Sequence, residues 1–575
     1  MKKIKSLYGK YEAVLTKILF PVFLCLYPFV TVNQGIDVSD STYSLSNFLY
    51  FERMEGMWVV STYLSNVCGW LLTQLPFGDT LLGMNIYTTF LVSGTVLLVY
   101  YSLKKWIPAW IVFVGEVVAV GFCWIPTGIL YNYLSYFLFS LGTILLYKGL
   151  VEEKNRYLIA AGVALGANVF VRIPNVTEMA LIIGLWYYLW SKKGSFIEIC
   201  QKTGWCLLGY LSGIIIPLIG VLCQFGITGI MDMITGLTGI QNSDDTYSAF
   251  SMITTVIDAY GRTFKWVLLT VIGMGLGMAM FACKKGQFQK SKKIVYGAGV
   301  LVLLRFLWGR GMFSFRYYED YSAMYEWGMF LLYLAWISSI YMLVSVKNSQ
   351  EEKLMAVLVM VILAITPLGS NNYTFQNLNN LFLIAPCCFY VFVKIYRRKQ
   401  GTGILSGLSY PWKCMVAMIG IMILIQSIGF HSQFVFRDGM DGTPREYVIE
   451  TSKTVVGMRT NVKNGEELSG LLEYVKENQL ENQEVILYGD CPGLSFLLKM
   501  PFAIGTAWPD LDSYSYDTFV TDLEQLNEMP IVILRNTDTY GEQSARKKAY
   551  LLEFLEQKQY EKVYDNGMYT VHKIP

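Results

Sequence analysis

Histidine is nearly absent from this chain, whose 575 residues include only His431 and His572. The two lie in different parts of the sequence, so neither histidine catalysis nor a histidine-rich metal site is expected. None of the 11 cysteines forms a C-x-x-C pair, which argues against a zinc site or a disulfide framework. No P-loop, glycine-rich dinucleotide motif or nucleic-acid motif occurs either. Several common classes of functional site are therefore excluded.

Charged residues are also scarce. They make up 15% of the chain, whereas hydrophobic residues make up 54%, and the mean hydropathy is +0.40. A water-soluble fold of this length could rarely hide so much apolar surface. We therefore predict a polytopic α-helical membrane protein, although length alone would suggest three or four soluble domains.

Thirteen apolar segments approach the roughly 20 residues that a membrane-spanning helix needs. The first lacks a small-residue cleavage site and predicts an uncleaved span rather than a signal peptide. The segments are Val14–Val32, Thr80–Leu103, Ile107–Trp124, Ile129–Lys148, Tyr157–Val171, Thr177–Trp190, Gly204–Gly226, Phe264–Cys283, Ile294–Leu307, Glu326–Val346, Leu354–Leu368, Leu381–Tyr396 and Trp412–Phe430.

The distribution of lysine and arginine between the loops predicts the orientation in the membrane. Cations near span ends mark the cytoplasmic side, and most of them fall in alternate loops that begin with the N-terminus. The sequence therefore predicts a cytoplasmic N-terminus, an odd number of spans and an extracytoplasmic C-terminus. Up to Phe430 the opposite loops carry only Arg53, Arg172, Arg262, Lys265, Arg305, Arg310 and Arg316.

The first outer loop, residues 33–79, is rich in carboxylates and includes Asp37 and Asp40. The stretch between Gly56 and Gly78 is apolar on one helical face and predicts a helix that lies along the outer membrane interface. A re-entrant or spanning helix is the alternative there. The other long outer loops are Met231–Arg262 and Gly309–Tyr325.

The composition changes after Phe430, so we divide the chain into a transmembrane domain (1–430) and an extracytoplasmic α/β domain (431–575). Two buried strands are predicted, VILYG (485–489) and IVILR (531–535). The segments EELSGLLEYVKEN, YDTFVTDLEQLN and ARKKAYLLEFLEQ have helical apolar spacing. A final hairpin would turn at Asp565, Asn566 and Gly567.

Asp37 and Asp40 are the leading candidates for chemistry. They are three positions apart, so they share a face if the segment after Gly35 is helical, and they converge also in a tight loop. A carboxylate just outside the membrane suits a general base that deprotonates a hydroxyl and meets a lipid-linked substrate. The alternative is a solvated loop that happens to be acidic.

Four outer arginines are candidates for binding a phosphate leaving group, which needs cations or backbone N–H groups. The alternative is that each arginine extends its charged end to lipid headgroups. Glu116, in the middle of a span, has either a functional or a structural role. The amide-rich loop Pro367–Asn380 would bind a sugar or pyrophosphate, or form a polar turn. These candidates are Arg172, Arg305, Arg310 and Arg316, with Asn371 and Asn372 in the amide-rich loop.

The layout of the whole chain resembles the GT-C superfamily of integral membrane glycosyltransferases, which includes protein O-mannosyltransferases and lipid A aminoarabinose transferases. The resemblance rests on the acidic first outer loop (IDVSDSTY) followed by an interfacial helix, about a dozen spans and an outer C-terminal α/β domain. Tyr131–Gly149 and Gly162–Asn175 look like the fourth and fifth spans of bacterial members. The resemblance implies a GT-C-like fold with about 13 transmembrane helices.

The same resemblance implies the roles of individual residues. An aspartate of the first outer loop acts as the base in the family, and this role falls on Asp40, in D-x-x-Y with Tyr43, and secondarily on Asp37. Many relatives have two adjacent acidic residues, which this chain lacks, and the choice between the two stays open. Phosphate binding falls on Arg172. Some relatives use a divalent metal, which two aspartates would bind as Mg or Mn.

The implied function is that of an inverting glycosyltransferase (EC 2.4 class). It would move a sugar from a polyprenyl-phosphate donor to a hydroxyl of an envelope glycan, lipid or protein. Tyr131 and Asn132 would contact substrate. A transporter or flippase of lipid-linked sugars would predict paired repeats and more intramembrane charges. A non-catalytic scaffold gives no reason for acidic and basic outer loops to face one another.

Overall fold

Helices dominate the chain up to residue 433. The computed structural model describes residues 9–125, 130–243, 249–281, 289–317, 322–370, 372–397, 412–438, 444–537 and 541–575. These helices are α1 (Gly9–Phe29), α2 (Asp40–Leu49), α3 (Gly56–Ser61), α4 (Tyr63–Thr73), α5 (Leu81–Leu103), α6 (Ala109–Phe122), α7 (Leu130–Val151), α8 (Asn155–Val171), α9 (Ile182–Ser191), α10 (Phe196–Ser243), α11 (Ala249–Met280), α12 (Gln289–Gly309), α13 (Ser322–Val344), α14 (Gln350–Ile365), α15 (Phe375–Asn379), α16 (Ile384–Arg397) and α17 (Trp412–Gln433).

Seven of the helices in the described part of the chain are long and apolar enough to cross a membrane, namely α1, α5, α7, α10, α11, α13 and α17. Three shorter apolar helices, α6, α8 and α16, accompany them. Each of the thirteen predicted segments falls on one of these ten helices or on α9, α12 or α14. The prediction of a membrane protein with many apolar helices is confirmed, whereas the number of spans stays a prediction.

The segment Met231–Arg262, predicted as an outer loop, is largely helical. After a break at Gly226, whose φ is +64°, α10 continues into this segment as far as Ser243, and α11 begins at Ala249. This second part of α10 packs against α3, where a Cβ added to Gly56 would lie 3.1 Å from Cβ of Asp232. Contact with the first outer loop therefore supports helix in a stretch whose composition alone suggested a loop.

The predicted interfacial helix consists of two pieces, α3 and α4. They meet at Thr62, whose backbone leaves helical geometry at φ −131° and ψ 31°. The hydroxyl of Thr62 donates to the carbonyl oxygen of Trp58 at 3.2 Å and accepts from Asn66 at 3.1 Å, which fixes the bend. Trp70 and Leu71 are 42% and 52% exposed, so α4 presents an apolar face outward.

The C-terminal part of the chain forms an α/β domain (residues 444–537 and 541–575). Its four-stranded sheet has the order β3 (Val485–Tyr488), β4 (Ile531–Arg535), β6 (Tyr569–Lys573) and β5 (Glu561–Asp565). The strands β3 and β4 are parallel, and the other neighbours are antiparallel. The predicted strands, helices and closing hairpin fall on elements of this domain. The elements are β1 (Tyr447–Val448), β2 (Arg459–Thr460), α18 (Val462–Glu477), β3 (Val485–Tyr488), α19 (Leu494–Leu497), α20 (Tyr516–Glu524), β4 (Ile531–Arg535), α21 (Glu542–Gln557), β5 (Glu561–Asp565) and β6 (Tyr569–Lys573).

The first outer loop and the α/β domain share one hydrophobic core. Ile36 and Phe48 of the loop belong to the same buried cluster as Leu471 and Leu487 of the domain. Burial of large apolar side chains stabilises by about 1.5–3 kcal/mol each, so this shared core holds the loop firmly against the domain. The boundary predicted at residue 430 stays a prediction, and the contacts show that loop and domain pack together.

Polar contacts join the same two parts. The carboxylate of Asp438 accepts hydrogen bonds from the backbone N–H of Ile36 at 3.0 Å and from the side chains of Thr460 and Asn461 at 2.9 and 2.7 Å. Gly35 has a φ of +87°, and a Cβ there would overlap the side chain of Val435. Glycine is therefore required where the chain turns from α1 towards the α/β domain.

Candidate functional site

Asp37 caps the N-terminus of α2 by accepting hydrogen bonds from its first N–H groups. One carboxylate oxygen accepts from the backbone N–H and hydroxyl of Ser39 at 2.9 and 2.6 Å, and the other accepts from the N–H of Ser41 at 2.9 Å. The residue is 7% exposed. Because a helix N-terminus leaves backbone N–H groups without intrahelical partners, these bonds stabilise the start of α2. The oxygens of Asp37 are thus occupied within the loop.

Asp40 is the first residue of α2, and its side chain remains 35% exposed. The helix begins too late for Asp37 to share its face, so the two carboxylates converge through a tight loop. One oxygen of Asp40 lies 3.3 Å from Nη2 of Arg437. Asp40 therefore combines an exposed edge with a fixed cationic partner, which Asp37 does not have among its described hydrogen bonds and ion pairs.

Arg437 connects the first outer loop with the α/β domain. Its Nη1 donates to the hydroxyl of Ser39 at 2.6 Å and lies 3.2 Å from a carboxylate oxygen of Asp490. Its backbone adopts a φ of +52°, which is uncommon for a residue with a side chain. Sequence reasoning missed Arg437 and Asp490, because the contacts span most of the chain. The signal that was available in the sequence is the adjacent pair of Arg437 and Asp438, which comes soon after the last predicted span.

Burial raises the pKa of Asp40 to about 6. The positive charge of Arg437 opposes this shift, and the negative charges of Asp37 and Asp490 add to it. The pKa of Asp490 is likewise raised to about 6 by burial, with Arg437 again opposing. A carboxylate of this kind is still largely ionised at neutral pH and is a stronger base than an ordinary aspartate.

Tyr43 follows Asp40 by one helical turn. Its ring packs edge-on against Trp508 with centroids 5.2 Å apart, and its hydroxyl lies 3.5 Å from Oγ1 of Thr506. Burial raises the pKa of this phenol, and the neighbouring Tyr131 adds to the shift. The side chain of Tyr43 is thus held against the α/β domain, and its role in substrate binding stays a prediction.

Arg172 follows the last residue of α8 and lies beside Tyr131. Its Nη2 donates to the carbonyl oxygen of Gly369 at 2.8 Å, and its guanidinium is 6.0 Å from the Tyr131 ring centroid. Arg172 and Asn132 line one small polar cavity, together with the buried carboxylate of Glu178. Among the predicted site residues, Tyr131 and Asn132 therefore lie beside Arg172, whereas Asp40 and Tyr43 lie together on α2.

Arg305 and Arg310 belong to another part of the described structure. Arg305 and Arg310 are exposed at the end of α12 and just after it, and Arg310 stacks near the rings of Trp266 and Phe306. In the described ranges, no contact joins Arg305 or Arg310 to Asp40 or Arg172. Arg316 is also exposed, and its backbone N–H donates to Ser314. The roles predicted for these arginines remain untested.

The amide-rich loop is described only in part. Asn371 lies outside the described residues. The backbone N–H of Asn372 donates to Oγ of Ser370 at 3.2 Å, which makes a local polar turn. Nearby, the side chain of Asn379 accepts from the backbone N–H of Trp124 at 2.8 Å, so part of the loop holds the segment that follows α6. A structural role is visible for this loop, and its sugar-binding role stays a prediction.

The carboxylates of the site do not form an open metal-binding set. No group of three or more His, Cys, Asp or Glu side chains suited to a metal ion occurs among the described residues. The oxygens of Asp37 are engaged by Ser39 and Ser41, and the guanidinium of Arg437 lies between Asp40 and Asp490. Mg and Mn need several free oxygen ligands, so this arrangement does not fit either ion.

Comparison with known proteins finds matches only among solved structures, since no family model and no curated protein sequence matches the chain. The archaeal oligosaccharyltransferase AglB from Archaeoglobus fulgidus, in complex with an inhibitory peptide and a dolichol-phosphate, is 11% identical with a TM-score of 0.45. The similarity covers 92% of this chain and 70% of that one. The apo form of the A. fulgidus enzyme is 12% identical, with a TM-score of 0.46 over 90% and 69% of the two chains. Likeness at this level does not define a function for the chain.

Proposed function

We propose that the protein is a membrane glycosyltransferase that transfers a sugar from a polyprenyl-phosphate donor to an acceptor hydroxyl on the outer side of the membrane. The proposal rests on the position and the protonation behaviour of Asp40. This carboxylate has a pKa raised to about 6, an exposed edge and a fixed arginine partner, and it lies where apolar helices meet a polar domain. These properties suit a general base that acts on a hydroxyl next to a lipid-linked substrate.

The reaction is a single displacement at the anomeric carbon. Asp40 accepts the proton of the acceptor hydroxyl, and the hydroxyl oxygen forms a bond to the anomeric carbon. The bond from that carbon to the phosphate oxygen breaks, and the polyprenyl phosphate leaves with the bonding electron pair. Attack opposite the leaving group inverts the configuration of the anomeric carbon. Arg437 keeps the Asp40 carboxylate in place through the ion pair at 3.3 Å.

The leaving phosphate requires positive charge close to Asp40. Arg172 is the candidate that the resemblance suggests, and its guanidinium lies 6.0 Å from the ring centroid of Tyr131, a predicted substrate-binding residue. A guanidinium offers several N–H donors to phosphate oxygens, and one of those of Arg172 is already held by Gly369. Tyr131 and Asn132 would contact the sugar or its phosphate. Arg305, Arg310, Arg316, Asn371 and Asn372 remain further candidates for donor contacts.

Lipid analysis of a deletion strain tests the donor directly. A strain that lacks the gene should accumulate a polyprenyl-phosphate sugar, which mass spectrometry of extracted lipids identifies. A plasmid copy of the wild type should remove the excess, whereas Asp40→Asn should not. Glu52→Gln, which neutralises an exposed carboxylate of the same loop, is the control and should act as the wild type. Absence of any accumulated lipid-linked sugar would contradict the proposed donor.

A further inference from the structure

A cleft of about 280 Å³ opens between the first outer loop and the α/β domain, and it is lined by Arg437, the ion-pair partner of Asp40. Asp37 and Ser39 of the loop line one wall, and Arg437 lies beside them. Asp490 and Arg535 line the wall formed by the domain. The volume is close to the lower end of the range for small-molecule sites, about 300 Å³. The cleft therefore accepts a compact ligand or one unit of a longer chain.

The topology of the sheet favours ligand binding at this place. Asp490 comes two residues after the end of β3, and Arg535 is the last residue of β4. Because β3 and β4 are parallel, their carboxyl ends meet at one edge of the sheet. In open α/β sheets, ligands bind in the crevice outside the carboxyl ends of the strands. The cleft occupies this position, and the first outer loop closes it from the membrane side.

The first turns of α18 supply a third wall. Lys463 and Glu467 are one helical turn apart and both line the cleft. Lys463 is exposed and Glu467 is half-buried, so both present their charges to solvent in the cleft rather than to the core. The helix is 16 residues long and begins at the cleft, with Asn461 as its N-cap. Carboxylate, ammonium and guanidinium groups thus all line this cleft.

The presence of both charge signs in the cleft determines which kind of ligand can bind there. An anion would meet Glu467 and Asp490, and a cation would meet Lys463, Arg437 and Arg535. Neither finds a uniformly favourable field, because like charges repel. A neutral ligand with many hydroxyls fits both sets, since each hydroxyl donates to a carboxylate and accepts from a cation. Carbohydrate is the biological ligand with this property.

We propose that this cleft binds a neutral carbohydrate, as one unit of a longer acceptor whose adjoining unit presents its hydroxyl to Asp40. The inference that the bound sugar belongs to the acceptor rests on the proposed function. Arg437 gives the link, because its Nη1 faces Ser39 and Asp490 in the cleft while its Nη2 faces Asp40. A sugar in the cleft therefore lies beside Nη1 of Arg437, and the adjoining unit of the acceptor reaches Asp40 on the side of Nη2.

Binding to oligosaccharides tests the cleft independently of catalysis. Full-length protein in detergent is applied to an array of neutral, amino and acidic oligosaccharides, and bound protein is quantified. The cleft variant is Lys463→Ala with Glu467→Ala, and the control is Glu473→Ala with Lys476→Ala, exposed positions farther along the same helix. Wild type and control should bind the same neutral oligosaccharide, and the cleft variant should bind it at least tenfold more weakly.

Three results would overturn the proposal. They are equal binding by the cleft variant, no binding of the wild type to any oligosaccharide, and binding only to acidic members that inorganic phosphate abolishes. Asp40→Asn separates this proposal from the proposed function, because it should retain oligosaccharide binding. If Asp40→Asn binds the oligosaccharide and also transfers sugar at the wild-type rate, the cleft stands as a carbohydrate site and the proposed function fails.

Discussion

Arg437 places its guanidinium between Asp40 and Asp490, with Nη2 3.3 Å from the first carboxylate and Nη1 3.2 Å from the second. The side chain of Arg437 is 41% exposed, so the ion pairs contribute about 1 kcal/mol or less to stability. Their effect is greater on position and protonation, because one cation links a residue of the first outer loop to a residue of the α/β domain.

Replacement of Arg437 by Gln should change the pH dependence of sugar transfer. The positive charge of Arg437 lowers the pKa of Asp40, which burial has raised to about 6. Loss of that charge raises this pKa further, and a general base must be deprotonated. The acid limb of the rate profile should therefore move to higher pH, with the greatest loss of rate below about pH 7.

Initial rates of wild type and Arg437→Gln across a pH series measure this shift. Lys476→Gln is a suitable comparison, because it removes a positive charge at an exposed position of α18 that does not line the cleft. An acid limb of Arg437→Gln that coincides with that of the wild type would refute the assigned role.

Asp37→Asn should reduce stability more than Asp40→Asn does. Asp37→Asn exchanges one acceptor oxygen for an NH₂ group, so at least one bond to Ser39 or Ser41 is lost at the start of α2. We expect the free energy of unfolding to fall by about 1 kcal/mol. Asp40→Asn, at a partly exposed side chain, should change it by about 0.5 kcal/mol or less. Thermal unfolding in detergent, measured beside transfer rates, shows whether the two effects separate in this way.

Gly493 controls the approach of the α/β domain to α2. Its N–H donates to the carbonyl oxygen of Val38 at 2.8 Å, and a Cβ there would overlap the hydroxyl of Thr42. Thr42 is itself held by a hydrogen bond to the backbone of Asp37 at 2.5 Å. Gly493→Ala should therefore destabilise by about 1–3 kcal/mol and expose the first outer loop to protease. Gly94→Ala, in open space on α5, is the control and should not destabilise. Equal protease resistance of both variants would contradict this docking.

Lys547 holds the loop that follows Trp508. Its buried ammonium donates hydrogen bonds of 2.7 Å to the carbonyl oxygens of Pro509, Leu511 and Tyr514. Lys547→Met removes all three donors and leaves buried carbonyls without them, which should cost on the order of 3 kcal/mol. Lys548→Met, at the next and less buried position, is the matched control. Comparable melting temperatures for the two variants would be inconsistent with this role.

Much of the architecture follows from local sequence patterns. Apolar runs of sufficient length predict helices wherever they occur, and Asp565-Asn566-Gly567 predicts the turn between β5 and β6. The segment after Gly226 is different, because the sequence predicts an outer loop that is long enough to form structure but does not specify that structure. The packing of its helix against α3 joins distant parts of the chain, so no local pattern indicates it.

Only the part of the site that lies in the first outer loop could be predicted from the sequence. Asp37 and Asp40 stand out because they follow an apolar segment directly. Their different roles depend on the residue at which α2 begins. If the helix began one or two positions earlier or later, the two aspartates would exchange these roles. Arg437 and Asp490 come from distant parts of the chain, and no periodicity or spacing connects them with Asp40. The contact arises from the shared core of the first outer loop and the α/β domain.

The central claim is that Asp40 is the general base of sugar transfer, and its most direct test is the transfer rate of Asp40→Asn. Membranes with equal amounts of wild type or variant receive a radiolabelled polyprenyl-phosphate sugar and acceptor at about pH 7.5, and labelled product is counted. Loss of a general base predicts a fall of about 10²–10⁴-fold. A variant that transfers sugar within threefold of the wild-type rate would contradict the claim.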